Sequence, residues 1–402
     1  MSRGGVQGFQ KERLVQVLAA RRLTQVQLAS MAGVSPATIS KWRAGAQVPE
    51  REALERLASV VNVTPEWFTR PVSTSVTPPL FRSNASAHVA ARAMLEARLE
   101  WSQDVASALM EFVDYPKVNL PIRPYTNPEE ITAEDIERAA SECRHLWHLG
   151  RTVVEDLALA VEGAGVIVIR EETGIAQIEG LSAWSEVLGR PLILLSADKD
   201  NGYRSRFDLA HELGHLVLHR NITRPTERDR HKLLEKQAHR FAGAFLLPAE
   251  SFAAEVRVPP TLDDLLILKR RWGVSAAAII MRLQALELID EDGATTLFKR
   301  RSARWGAKSE PGDADRKPEQ PRLLRRTIGL LVDEKVMPLD AIPRHIGLAA
   351  SDLEAITGLP DGYFQGKSNV IQFATMKSAT TGTVVQQDRS STVVSFKTPA
   401  KH

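Results

Sequence analysis

The segment Arg206-Phe207-Asp208-Leu209-Ala210-His211-Glu212-Leu213-Gly214-His215 sets two histidines four positions apart, with a glutamate directly after the first. On an α-helix, residues at that spacing lie on one face, so His211 and His215 can offer ring nitrogens to a single metal ion. Glu212 can then reach the open coordination position and take a proton from water activated there. Leu209, Leu213 and Leu216 recur at helical spacing on the other side and should hold the helix against a core. The chemistry this implies is zinc-dependent hydrolysis; the bland alternative is an amphipathic helix with two surface histidines.

Such a site needs three protein ligands and one open position. Position 221 is Asn, which excludes the metzincin solution of a third histidine soon after the pair. A glutamate from a second helix is the other common solution, and Glu235 stands in Leu233-Leu234-Glu235-Lys236-Gln237-Ala238-His239-Arg240-Phe241-Ala242. Leu234, Ala238, Phe241, Ala242 and Phe245 form an apolar face, and the small Ala238 and Ala242 permit close approach to the first helix. Glu235 is the expected third ligand. His219 and His239, each one helical turn beyond a ligand, are the alternatives, or else support the ligands from behind.

The elements that must position these groups follow from periodicity. Val166–Ile169, Ile178–Trp184 and Leu192–Leu195 read as strands of a small sheet, whose edge could hold an extended peptide. Ala87–Phe112 and Ile131–Glu162 read as long helices around an extended, proline-rich run from Pro116 to Pro128. Thr261–Arg271 and Ala276–Leu288 read as two more helices. Tyr203, Arg204 and Arg206 are expected at the surface, with stabilisation of an oxyanion as the alternative.

R-F-D-L-A-H-E-L-G-H-L-V-L-H followed by E-x-x-A-x-x-F-A-x-x-x-L-L-P resembles the ImmA/IrrE family of bacterial metallo-endopeptidases. Arg190–Leu195 and Trp272–Ser275 extend the resemblance over roughly residues 140–290. It implies that His211, His215 and Glu235 hold Zn2+, that Glu212 is the catalytic base, and that the substrate is another protein, typically a repressor. The family tends to carry an acid just before the Ala; here that position is Gln237.

Residues 1–70 hold ten Lys and Arg against five Asp and Glu, a surplus of +5 in a chain whose net charge is +3. A basic surplus on a small unit suits a polyanion. Helices are expected from Lys11 to Arg22, after Thr24 with Val26, Leu28 and Ala29 inward, after Ser35, and from Glu52 to Val61. T-Q-x-x-L-A-x-x-A-G-V-S-x-x-T-I-S-x-W-x-x-G resembles the XRE helix-turn-helix family. On that footing Gln25 and Arg43 should meet phosphates. Pro36, Ala37, Thr38 and Lys41, with Ser35 beside them, should face base edges, reading thymine methyls and DNA shape. The alternative is a small helical protein-interaction domain.

The expected fold is α+β and mostly helical. It comprises a five-helix helix-turn-helix domain at 1–69, a linker at 70–86 and a zincin-like domain with a small β-sheet at 87–298. A charged surface loop at 299–321, a C-terminal helical unit at 322–365 for packing or dimerisation, and a disordered tail at 366–402 follow. No apolar run suggests a membrane span, and the lone Cys143, read as a small buried residue, fits a reducing cytosol. The combined expectation is a cytoplasmic, nucleoid-associated regulator that binds double-stranded operator DNA as a homodimer and cleaves a repressor-like protein. A zinc domain that only senses, or a toxin–antitoxin component, are the competing readings.

Overall fold

The computed structural model describes residues 5–72, 89–175, 178–223, 227–306 and 308–365. Most of the expected linker, and the tail with its suggested strand at Thr392–Phe396, lie outside these residues. The first unit is α1 (Lys11–Ala20), α2 (Gln25–Ala32), α3 (Pro36–Ala44) and α4 (Arg51–Val61), closed by a 3-10 turn at Pro65–Thr69 that takes the place of the fifth helix. Thr24 and Gln27 form a reciprocal capping box at the start of α2, and Gly33 supplies the left-handed turn (φ 65°) before Ser35 caps α3. The capping box fixes the phase of α2 so that Leu28, Ala29 and Ala32 face inward. Val26, expected inside, is therefore turned out and 64% exposed.

The long helix α5 (Val89–Met110) leads to α6 (Ala133–Leu146) and α7 (Leu157–Gly163). One helix was expected across these two. It breaks because His148 and Gly150 take left-handed backbone (φ 55° and 61°), and Arg144 holds the break by donating to the carbonyls of Gly150, Thr152 and Phe245.

Three strands follow, β1 (Ile167–Glu171), β2 (Gly180–Ser185) and β3 (Arg190–Ser196), in the order β1-β3-β2. β3 runs parallel to β1, with Ile169 opposite Leu194, and antiparallel to β2, with Ser182 opposite Ile193. Alternation along the strands divides two cores. Ile167, Ile169, Leu192 and Leu194 pack with α5 and the N-terminal unit, whereas Val168, Ile193 and Leu195 pack beneath α8 (Gly202–Leu218) and α9 (Arg228–Leu246). The rest of that second core comes from α10 (Ala249–Ala253), α11 (Leu262–Trp272), α12 (Ala276–Ala285) and α13 (Glu291–Trp305).

The stretch expected as a surface loop at 299–321 is different in kind. Its first part completes α13, and the remainder is a strap fastened by two carboxylates, Glu310 buried and Glu319 half-buried. Glu310 accepts from Lys269 (3.1 Å), Arg301 (2.9 Å) and the backbone N–H groups of Ala276 and Ala277 that open α12. Glu319 pairs with Arg206 and accepts from the N–H groups of Leu157 and Ala158 at the start of α7. Carboxylates at helix N-termini complete otherwise unpaired donors. Because the strap crosses the start of α8, Tyr203 and Arg206 are buried (3% and 2% exposed) rather than at the surface. Arg204 reaches the carbonyl of Lys308 on the same strap.

The closing unit, α14 (Leu323–Asp333), α15 (Ala341–Ile346) and α16 (Ala350–Thr357), packs on α5, on β1 and on the N-terminal helices. Thr64 N–H donates to Gly347 (3.0 Å), and Arg70, assigned to the linker from sequence, donates to the carbonyls of His345 and Ile346. Asp352 on α16 accepts from Arg21 of the N-terminal unit and from Arg98 of α5 (2.8 Å each), and Arg98 also grips Glu171 at the end of β1. Removing one member of a buried ion cluster strands the others, at a cost of about 3–5 kcal/mol. Arg98→Met, which leaves Glu171 without its partner, should lower full-chain stability by that amount in urea unfolding; an unchanged midpoint would show the cluster to be idle.

Candidate metal centre and DNA-reading face

Helices α8 and α9 meet at Gly214. A Cβ there would lie 3.1 Å from Phe241 and 3.2 Å from the Ala238 Cα, so backbone touches backbone. Ala238, Phe241, Ala242 and Phe245 are all fully buried, the apolar face expected from sequence. This contact brings Glu235, one turn before Ala238, to the two histidines of α8. The Nε2 atoms of His211 and His215 are 3.1 Å apart, and the Glu235 carboxylate lies 3.4 Å from the first and 3.6 Å from the second. A tetrahedral zinc with bonds of about 2.0–2.1 Å separates its donors by about 3.3 Å. The donor set and its spacing therefore fit a zinc ion, with imidazole and carboxylate chemistry suited to it.

His239 also approaches. Its ligand atom lies with those of His211 and Glu235 inside a 4.8 Å group, but its Nδ1 bonds the Glu235 carbonyl (3.0 Å) and its ring stands edge-on to His211. The tighter triad is the one with His215. His219 sits behind that triad: its Nδ1 is 2.9 Å from His215 Nδ1, and its Nε2 is 3.1 Å from Gln237 Oε1. The Gln237 amide in turn donates to the Pro128 carbonyl (2.6 Å). Read as donors and acceptors, the chain has one consistent direction. His215 Nδ1–H donates to His219, His219 Nε2–H donates to Gln237, and the lone pair of His215 Nε2 is left facing Glu235 and His211. Burial, then the proximity of His215, pushes His219 well below the ordinary histidine range, which keeps it the neutral acceptor this direction requires.

The two carboxylates are set apart by their surroundings. Burial raises Glu235, but hydrogen bonds and charges from His211 and His215 outweigh it and hold the carboxyl well below its ordinary range. Burial likewise opposes charge on His211, yet Glu235, then Glu212 and Asp208, leave it raised. Glu212 is raised, chiefly by burial, with His215, His211 and Ser182 offsetting only part. Ser182 of β2 donates its hydroxyl to Glu212 Oε2 (2.7 Å) and orients the carboxylate. A Cβ on Gly180 would come within 3.2 Å of the Glu212 Cγ, so the start of β2 leaves the room this side chain occupies. Ser182 and the Gln237 relay were not foreseen, because both depend on pairings between elements distant in sequence. The one signal was the departure at Gln237 from the acid that the resemblance suggests.

On the N-terminal unit, Ile39 and Trp42 anchor α3 inward, while Ser35, Pro36, Ala37, Lys41 and Arg43 are exposed. Thr38 is half-buried and its hydroxyl is 2.8 Å from that of Ser35, which also caps the Thr38 N–H (3.1 Å). Gln25 is half-buried in the first turn of α2. Of the residues expected to read DNA, Ser35 to Arg43 lie on α3 or at its cap, and Gln25 opens α2.

Residues 161–284 match the family model described as the IrrE N-terminal-like domain, of the peptidase M78 metallopeptidase family, and residues 14–68 match the helix-turn-helix model. No curated protein matches the chain. The chain joins an XRE-type helix-turn-helix domain to an IrrE-like metallopeptidase domain. Among the described residues, no helix is long and apolar enough to cross a membrane.

Two outcomes follow from this geometry. Groups that orient a ligand from behind are worth about 10–100-fold in metal affinity. His219→Ala should weaken zinc binding by that factor in a chelator competition, and binding as tight as that of the unaltered protein would dispose of the relay. Arg43→Ala should reduce the slope of log affinity for duplex DNA against log salt by about one phosphate contact. A slope equal to that of the parent protein would remove Arg43 from the interface.

Proposed function

We propose that this protein is a cytoplasmic, DNA-bound transcriptional regulator whose zinc-dependent endopeptidase cleaves a repressor-like partner protein. The DNA unit is assigned to 1–69, the peptidase to 87–298 with residues 299–321 bound to it, and the packing unit to 322–365. His211, His215 and Glu235 would hold the zinc ion, which supplies Lewis-acid activation of water and of the peptide carbonyl. Glu212 takes the proton of the attacking water on its carboxylate and returns it to the leaving amine. Ser182 keeps that carboxylate aimed, and the His219–Gln237 relay keeps His215 in the ligating tautomer. β2 pairs only with β3 among the described residues, and strand addition at its other edge would give an extended substrate its backbone partners. Gln25, Ser35, Pro36, Ala37, Thr38, Lys41 and Arg43 face the operator, bound as a homodimer because one such module buries little surface.

The observation that carries this reading is Glu212, buried, raised and held by one hydroxyl beside two imidazoles and a second carboxylate kept ionised. That is the division of labour between a proton carrier and a ligand. A second reading, a zinc domain that senses without cleaving, is favoured by one observation: Asp352 ties Arg21 of the DNA unit to Arg98 of the peptidase body. Both readings meet in one experiment. Glu212→Gln should keep stoichiometric zinc while cleavage falls by about 10²–10⁴-fold, seen as cellular proteins that shorten only when Glu212 is intact. If Glu212→Gln cells show the same protein lengths and gene expression as the parent, while His211→Ala cells lose regulation, the sensing reading stands instead.

A further inference from the structure

A groove of about 960 Å³ opens at the metal centre, with Glu235 and His239 among its lining. One wall is a single face of α9, where Arg228, Lys232, Lys236 and Arg240 follow at every fourth position. The facing wall comes from α12, where Met281 is 52% exposed, and Phe207 of α8 adds an aromatic ring. Arg228, Lys232 and Lys236 are exposed, and the pairing of Lys232 with Asp229 is a surface contact between side chains 63% and 91% exposed, readily exchanged. Glu235 is the one carboxylate among the described lining residues, and it is turned to His211 and His215. The groove is therefore a positive channel with one apolar side, leading to the place where a peptide bond would be cut.

Its spacing has a chemical match. Four residues of helix rise about 6 Å, and two residues of an extended chain span about 6.6 Å. An extended peptide lying along α9 presents every second side chain to successive basic residues and the intervening ones to the opposite wall. Resting on the peptidase reading above, we propose that the substrate carries Asp or Glu at alternate positions on one side of the scissile bond, facing Arg228, Lys232 and Lys236. Apolar residues between them pack on Met281 and Phe207. Charge-assisted contacts of this kind fix the register of the chain as well as its affinity.

The test uses the full-length, zinc-loaded Glu212→Gln protein, which binds without turnover, and two labelled peptides read by fluorescence anisotropy. One alternates Glu with Leu; the other alternates Lys with Leu. The Glu peptide should bind at least about tenfold tighter, with an affinity that falls as salt rises. Lys232→Glu combined with Lys236→Glu should reverse the preference, and the neutralising pair Lys232→Gln and Lys236→Gln should reduce it to a few-fold. Far-UV circular dichroism and zinc content verify that each variant is folded. Equal binding of the two peptides, a preference that survives charge reversal, or displacement of the Glu peptide by an oligothymidylate of equal length at lower concentration would overturn the proposal. Turnover is not needed, so loss of the preference while Glu212-dependent cleavage persists in cells would remove the acidic substrate and leave the peptidase standing.

Discussion

The geometry of the candidate metal centre depends on the backbone contact between α8 and α9 at Gly214. A candidate metal centre built from two helices tolerates errors of only a few tenths of an ångström, and helices with ordinary side chains between them keep their axes about 8–10 Å apart. Gly214 and Ala238 remove the side chains that would hold the helices off, and Phe241 and Phe245 lock them from below. A side chain longer than hydrogen at 214 would have to displace Phe241 or the Ala238 backbone. The carboxylate of Glu235 would move with that backbone, since it lies on the same turn. The sheet supplies the other fixed side, because β2 contributes Ser182 to Glu212 and is held in register by β3.

Four carboxylates buried or half-buried in this chain meet three kinds of surroundings, and the partners set the state of each. Glu235 faces two imidazoles, whose hydrogen bonds and charges outweigh burial and hold its carboxyl well below the ordinary range. Glu212 has one hydroxyl donor, and burial dominates, so its carboxyl is raised above the ordinary range. Glu310 and Glu319 instead meet backbone N–H groups and guanidinium or ammonium groups, and serve to fasten the strap over α8 and α12. Residue type alone does not separate these roles; the count and kind of donors do.

What was legible in the sequence is what is local. His211, Glu212 and His215 share a helix, and their spacing fixes their relation before any tertiary contact forms. The apolar face of α9 was legible for the same reason, and it carried Glu235 to its place. The strands and most helix boundaries also followed from periodicity. Reading failed where a distant partner decides. Lys299–Trp305 looked like a charged loop because its helix keeps only Ala294, Leu297 and Arg301 buried, too sparse a stripe to stand out. Tyr203 and Arg206 looked exposed because the strap that covers them lies about a hundred residues on, as with Arg206 and Glu319. His219 could be named as a candidate supporter, but the only sign of its partner on the next helix was that Gln237 stands where the resemblance suggests an acid.

The same dependence on distant partners sets how the two halves of the chain are joined. From sequence they were separated by a linker, yet Arg21, Thr64 and Arg70 are bound to the closing helices, and Asp352 passes the connection through Arg98 to the end of β1. From Glu171 the path continues across the β1–β3 register to β2, where Ser182 holds Glu212. Spatial continuity of this sort is not by itself coupling. It does impose a rigid geometry, because a guanidinium shared by two buried carboxylates has few alternative arrangements of comparable energy. The exposed face of α3 is thus held at a fixed offset from the metal centre by ion pairs. A tether of 70–86 alone would instead let the two sample many separations.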